Sequence, residues 1–289
     1  MHHRAIPALA AAAALSACSP ADHPAVSGPQ FAHVQDLDGT PDLIVDDKRL
    51  ADSWVIYDQT FSTTACSVVE GGVTVGDHRV LRFTVSTPNI GDADIFIGDP
   101  NVHIAAGDGL FEFATCHNHY HFRHYATYQL IAASDGHVWR SAKRGFCMID
   151  VTPWNNNDAG VGSWVYHSCG RVGIPGNQGI SVGYADTYFK FLGGQYFVLD
   201  GGDGQAPVPP GQYIIRITVN PPFTAAAGER CPFTDVSGFC HQLPERDFTN
   251  NVAEVLITIP DRTGKTGFGP GAGDLTNAEL IDDENRPDK

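Results

Sequence analysis

Methionine and positive charge are scarce in this 289-residue chain, which has two methionines and 18 lysines plus arginines. Against these stand 33 aspartates and glutamates, for a formal charge of −15. A nucleic-acid binder neutralises phosphates with clustered lysine and arginine, so this chain is a poor candidate for that class. The same negative field attracts cationic ligands such as amines. The chain has no P-loop, no G-x-G-x-x-G, no zinc-type C-x-x-C, no internal repeat and no long stretch of helical period. Beyond its first residues, no apolar run is long enough to cross a membrane. Enough apolar material is present for a core. Apolar residues make up 42% and charged residues 18%, which rules out wholesale disorder. Glycine (31) and proline (19) are plentiful, as suits a chain of many strands and turns.

Met1 to Ala17 (MHHRAIPALAAAAALSA) joins a short basic start to an Ala/Leu run that ends in small residues. The run is too short to span a bilayer and has the pattern of a cleaved export signal. Leu15-Ser16-Ala17-Cys18 resembles the bacterial lipobox, in which the cysteine becomes the lipidated N-terminus. The expectation is an exported protein held in the cell envelope, at an outer membrane or cell surface, by a lipid on Cys18. That lipid would be its one membrane contact. Residues 18–40, rich in Pro, Ser and Ala, read as a tether. Six cysteines remain, and an even number in an oxidising compartment points to disulfides. Cys231 and Cys240 flank a short loop and are expected to pair. Cys66, Cys116, Cys147 and Cys169 allow three pairings, and spacing does not choose among them.

Several segments alternate with period two. Leu81, Phe83 and Val85 share one face, as do Tyr213, Ile215, Ile217 and Val219, and again Val255, Ile257 and Ile259. Such runs predict half-buried antiparallel strands. Residues 125–132 and 195–199 are further strand candidates. Asn155 to Gly162, Gly201 to Gly211 and Pro221-Pro222 mark turns. The pattern points to a mainly β chain: a single β-sandwich-like domain over 41–260 with long loops and little helix, then a disordered tail over 261–289.

Chemistry concentrates in Thr115-Cys116-His117-Asn118-His119-Tyr120-His121. Histidines at i, i+2 and i+4 fall on one side of an extended chain. On a flat strand His117 and His121 would lie roughly 13 Å apart along the backbone. An imidazole carries a metal only about 6 Å from its own Cα, so one shared ion requires the chain to bend here, at a bulge for instance. Neutral imidazoles suit copper, zinc, iron or nickel, and three of them leave positions open for water or substrate. A lone histidine would read as structural; three within five residues read as a metal site. Cys116 points to the other side and reads as a disulfide anchor. His124 falls off the alternation and is taken as structural, or at most as a support for a metal ligand.

The run CHNHYH followed by HYATYQL resembles the copper-binding stretch of the lysyl oxidase family. PDLIVDD, HRVLRFTVSTPNIGDADIFIG, AKRGFC, YADTY, PPGQYIIRITVNP and DFTNNVAEV resemble further family segments, in the family's order. The resemblance implies a β-sandwich catalytic domain that oxidises primary amines, peptidyl lysine among them, with copper and oxygen. Copper would be held by His117, His119 and His121. The cofactor, lysine tyrosylquinone, would be made from Lys143, four residues before Cys147, and Tyr188, which closes Asp186-Thr187-Tyr188. A family bridge from the copper run implies Cys116–Cys169, which leaves Cys66 to Cys147. Without the resemblance, Lys143 would read as a solvated charge and Tyr188 as a packed strand residue.

That chemistry is coherent. An amine adding to an oxidised tyrosine ring must be unprotonated, which burial or a nearby cation favours. A quinone is then an electrophile for substrate amines and a sink for their electrons, giving aldehyde, ammonia and hydrogen peroxide. Asp186, two residues before Tyr188, is the candidate base. Two alternatives remain: an extracytoplasmic copper-binding lipoprotein without quinone or catalysis, and a three-histidine zinc hydrolase. Scarce methionine weighs against a thioether-based copper carrier, and the hydrolase leaves Lys143 and Tyr188 without roles.

Overall fold

The computed structural model describes residues 39–143, 145–154, 164–227, 230–261 and 267–274. The expected signal, Cys18, nearly all of the tether and the Asn155 to Gly162 turn lie outside them. The strands run in order as β1 (Val55–Phe61), β2 (Gly76–Arg82), β3 (Val85–Pro88), β4 (Ile95–Gly98), β5 (Phe111–Ala114), β6 (His119–Phe122), β7 (Ala126–Ala132) and β8 (Val138–Arg140). They continue as β9 (Thr152–Pro153), β10 (Gln178–Ile180), β11 (Tyr184–Tyr188), β12 (Tyr196–Val198), β13 (Gly211–Val219), β14 (Phe233–Thr234), β15 (Cys240–His241) and β16 (Val252–Ile259). Three short helices join them: α1 (Asp47–Ser53), α2 (Cys66–Val69) and α3 (Pro100–Ala106). The fold is mainly β, with long loops and little helix. Among the described residues no helix is long and apolar enough to cross a membrane.

The longest strands build the antiparallel sheet β16-β13-β7-β8. Tyr213, Ile215, Ile217 and Val219 are buried on β13, with less buried residues between them, so the period-two expectation holds there. On β16, Ala253, Ile257 and Ile259 are buried, again in alternation. The inward face meets Leu81, Phe83 and Phe197 in one hydrophobic core. Phe83 joins the layers, with its ring centroid 5.6 Å from Tyr128 and 5.2 Å from Phe197.

The segment around Leu81 departs from expectation. It is buried on both faces rather than half-buried, and it changes sheets after Arg82. Sheet β1-β2-β12 sends Ile56, Leu81 and Phe197 into the main core. Its other face carries Val55, Tyr57 and Val80 into a second cluster with Ala65, Ala142 and Tyr196. That second face positions the site, because α2 and the 141–147 segment pack there.

The tail also differs from expectation. Phe268 pairs with Ile56 through two backbone hydrogen bonds, each 2.8 Å, and its ring lies 5.9 Å from Trp54. Residues 267–274 therefore close over the edge of β1 instead of being disordered. Two backbone hydrogen bonds and an aromatic partner offset part of the ordering cost of this glycine-rich segment.

Candidate functional site

β5 and β6 form a hairpin in which Ala114 stands opposite His119 and Glu112 opposite His121. Tyr120 and Phe122 fill the core from one face, so alternation sends His119 and His121 to the other. The bend expected at the histidine run is a turn and not a bulge. Residues 115–118 form it, Asn118 takes φ +57°, and the Asn118 N–H donates to the Ala114 carbonyl at 2.8 Å. Asparagine tolerates this left-handed conformation better than most residues. The turn folds His117 back over the strand. The His117–His119, His117–His121 and His119–His121 ring centroids are 5.7, 5.3 and 4.9 Å apart.

Three imidazoles on one ion, with metal–nitrogen bonds of about 2.0–2.1 Å and tetrahedral angles, would set their centroids about 5.2 Å apart. The observed spacing brackets that value. The Nε2 atoms of all three rings are buried, and neither nitrogen of His117 makes a hydrogen bond. As posed, the rings do not form a finished cage: no group of three or more His, Cys, Asp and Glu among the described residues meets metal-holding geometry. The donor chemistry and ring spacing nevertheless fit a single ion that takes imidazole ligands.

Disulfides fasten the hairpin on both sides, and their pairing corrects the expected one. Cys66 bonds Cys116 and Cys147 bonds Cys169, whereas the family resemblance implies Cys116–Cys169 and leaves Cys66 to Cys147; Cys231–Cys240 is as expected. The reason lies in what flanks β6. Phe146 bridges to Phe122, and the Gly170 carbonyl accepts from the Tyr120 N–H at 3.2 Å, so Cys147 and Cys169 follow these two contacts together. Cys116, in the turn, instead meets the first residue of α2.

Tyr188 ends β11, is 1% exposed, and is fixed at its hydroxyl. That hydroxyl donates to the Cys147 carbonyl at 2.9 Å and accepts from the Cys147 N–H at 2.6 Å. The Lys143 Nζ stands 4.6 Å from the centre of the Tyr188 ring and 5.6 Å from that of Phe146. Lys143 also lines a small cavity with Glu70, His117, His121, Gly145 and Gly194. Thus the structure brings Lys143 to Tyr188 on one side and to two of the three histidines on the other. Asp186 is fully buried, two residues before Tyr188 on the same strand face, but it does not line this cavity. His124 stacks on Phe223 with ring centroids 6.5 Å apart.

On the opposite side, His117 and His119 line an open groove with His167, Arg171 and Ile174. Trp164 stacks on His167 at 4.5 Å. The buried Asp150 carboxylate fixes this wall by accepting from the N–H groups of Val165, Tyr166 and Ser181 and from the Ser181 hydroxyl. His117 therefore lines both an inner cavity, with Lys143, and an outer groove.

The family model described as lysyl oxidase matches residues 41–235, more than half of the chain. The chain belongs to the lysyl oxidase family. It is 26% identical to lysyl oxidase homolog 4 of Bos taurus over 208 residues, which cover 68% of the chain and 25% of that protein. Over 236 residues it is 27% identical to lysyl oxidase homolog 3A of Danio rerio, covering 78% of the chain and 26% of the relative. With lysyl oxidase homolog 2 of Gallus gallus it shares 26% over 199 residues, covering 65% and 23% respectively. The chain thus spans about a quarter of the length of these curated relatives.

The matched lysyl oxidase region includes the hairpin, Lys143 and Tyr188 but ends before β15 and β16. Sequence reasoning missed two residues at this family member's site. Glu70 sits at the end of α2, with its Oε1 3.4 Å from His117 Nδ1. The one signal that could have found it was its place four residues after Cys66, and that required the correct disulfide. Gly145 is the second. A Cβ there would lie 2.2 Å from His121 Nδ1, so only glycine leaves room for that ring. Its place between Lys143 and Cys147 was visible, but its contact was not.

Proposed function

We propose that this chain is a copper-dependent amine oxidase that converts primary amines, peptidyl lysine among them, to aldehydes, releasing ammonia and hydrogen peroxide. His117, His119 and His121 would hold the copper, and Lys143 with Tyr188 would form lysine tyrosylquinone. That quinone, once formed, supplies an electrophilic carbonyl for the amine and a sink for its electrons. The observation that carries the reading is the Lys143 Nζ, 4.6 Å from the centre of the Tyr188 ring, in a cavity that His117 and His121 also line. Cys147 orients the ring by gripping its hydroxyl from both backbone groups, and the bond to Cys169 anchors Cys147 itself. A pre-set lysine and ring avoid the entropy of bringing two groups together. Asp186, buried on the same face of β11 as Tyr188, is the carboxylate assigned to proton transfer. The outer groove beside His117 and His119 is the route for amine and oxygen. The net charge of −15 favours cationic substrates at long range. The same proposal has the chain exported and anchored through Cys18, on the strength of the lipobox-like Leu15 to Cys18.

Peptide mass spectrometry of copper-loaded, aerobically matured protein after phenylhydrazine treatment tests this. The expected result is a labelled cross-link joining the Lys143 and Tyr188 peptides. Lys143→Ala should bind copper as the wild type does, carry no label and show no oxidase activity above background. Unmodified Lys143 and Tyr188 in fully loaded protein would leave a copper-binding protein without catalysis. Oxidase activity retained in Lys143→Ala would sink the cofactor assignment.

A further inference from the structure

We infer that Glu70 is a positioning residue for His117: its carboxylate holds the ring so that Nε2 faces the metal, an inference that rests on the copper reading above. Three observations converge on it. The Glu70 Oε1 lies 3.4 Å from His117 Nδ1, and the two side chains are 24% and 5% exposed. The His117 Nε2 is buried and makes no hydrogen bond, which suits the donor atom of a metal ligand. Third, the two residues are tied covalently. Glu70 caps α2, its N–H donating to the Cys66 carbonyl at 2.8 Å, while Cys66 is bonded to Cys116, the neighbour of His117.

The physical logic is tautomer selection. A neutral imidazole carries one proton, and a carboxylate beside Nδ1 holds it there, leaving the Nε2 lone pair for a metal. Carboxylate partners of ligating histidines fix ring orientation and raise ligand basicity. The present contact is longer than a hydrogen bond, and closing it takes about half an ångström of side-chain movement. His119 and His121 stand on β6, where strand pairing with β5 sets their place. His117 alone stands in a turn and has the most to gain from an external brace.

The test is copper affinity, measured by chelator competition on metal-stripped protein, together with the Cu(II) electron paramagnetic resonance spectrum. Glu70→Ala is expected to weaken copper binding roughly 10- to 100-fold and to alter the spectrum, with the Cys66–Cys116 bond intact. Glu70→Gln keeps an oxygen acceptor for Nδ1 and should lose less than Glu70→Ala. A folded Glu70→Ala with wild-type affinity and spectrum overturns this inference alone. If Glu70→Ala fails to fold, an unchanged affinity and spectrum in Glu70→Met, which offers Nδ1 no oxygen acceptor, overturns it instead. A wild-type protein that does not bind copper overturns the copper reading and this inference with it.

Discussion

The sheet β16-β13-β7-β8 and the hairpin β5-β6 illustrate two ways of holding a chain in place. In the sheet, β7, β13 and β16 are seven, nine and eight residues long, and β13 is paired along its length on both sides. Alternating burial sets its register, since a slip by one residue would turn Ile215 and Ile217 to the outside. The hairpin strands have four residues each and α2 also has four. An isolated hairpin of that size is marginal in water. It is held by what surrounds it: two disulfides, the Phe122–Phe146 bridge and the α2 cap. The difference suggests that the apolar pattern builds the scaffold, while covalent and polar pins build the histidine cluster.

Breaking the pins should therefore harm the cluster before the sheet. The largest effect is expected for Cys66→Ser combined with Cys116→Ser. Opening a cross-link between residues 50 apart costs about 4 kcal/mol in the chain-entropy account. For a domain of this size that corresponds to a Tm lower by roughly 8–16 °C. Copper affinity should fall as well, because Glu70 and His117 lose their common anchor. Removing Cys231–Cys240, which spans nine residues, should cost only about 2.5 kcal/mol and spare copper binding. Calorimetry and copper titration on both double variants check this. Equal losses of affinity in the two would contradict the contrast between scaffold and pins.

Legibility in the sequence follows the same division. β13 was readable because period two is a local property, and Tyr213, Ile215, Ile217 and Val219 needed no partner to declare their face. The histidine run was readable because three imidazoles in five residues have one economical chemical use, and the bend followed from the reach of the side chains. Lys143 and Tyr188 carried no such local signal and depended on the family resemblance. The disulfides were not readable, because they depend on which segments flank β6, and those are set by contacts far apart in sequence. Glu70 was hidden behind that error. The ordered stretch 267–274 was hidden by its glycines, which signal flexibility, while its partners Ile56 and Trp54 lie more than 200 positions earlier.

A smaller change aimed only at the cluster sharpens the comparison. Gly145→Ala introduces a Cβ 2.2 Å from His121 Nδ1, a distance that real side chains do not sustain. Either His121 or the 143–147 backbone must move, at about 1–3 kcal/mol for overpacking. Both moves disturb the cavity shared by Lys143 and the histidines, so copper affinity and quinone formation should fall together while the sheet stays intact. Gly273→Ala is the matched control: a Cβ there meets nothing within 4 Å, and stability and copper binding should be unchanged. Far-ultraviolet circular dichroism reports the strands and copper titration the site. Wild-type affinity in Gly145→Ala would mean that His121 does not need its present position.

The smallest effect on the histidines is expected from a polar pin on the sheet itself. Glu245 is buried where the ends of β13 and β16 meet the start of the domain, accepting from the Leu43 N–H and from the side chains of Asn220 and Asn251. Burial pushes its carboxyl up to about 8; the Asn220, Leu43 and Asn251 hydrogen bonds pull it down without cancelling that effect. In the unfolded chain the same group loses its proton near the ordinary glutamate value. Between that value and about 8 the folded state therefore holds a proton that the unfolded state has released. Its contribution to stability is full in acid and is lost as pH rises through about 8. The wild-type Tm should fall across this window, and Glu245→Gln, which carries no titrating group, should fall less steeply. Parallel slopes for the two proteins would show that Glu245 is ionised throughout. Copper affinity at a fixed pH should be the same in both, because Glu245 braces the end of the sheet and touches none of the pins that hold His117, His119 and His121.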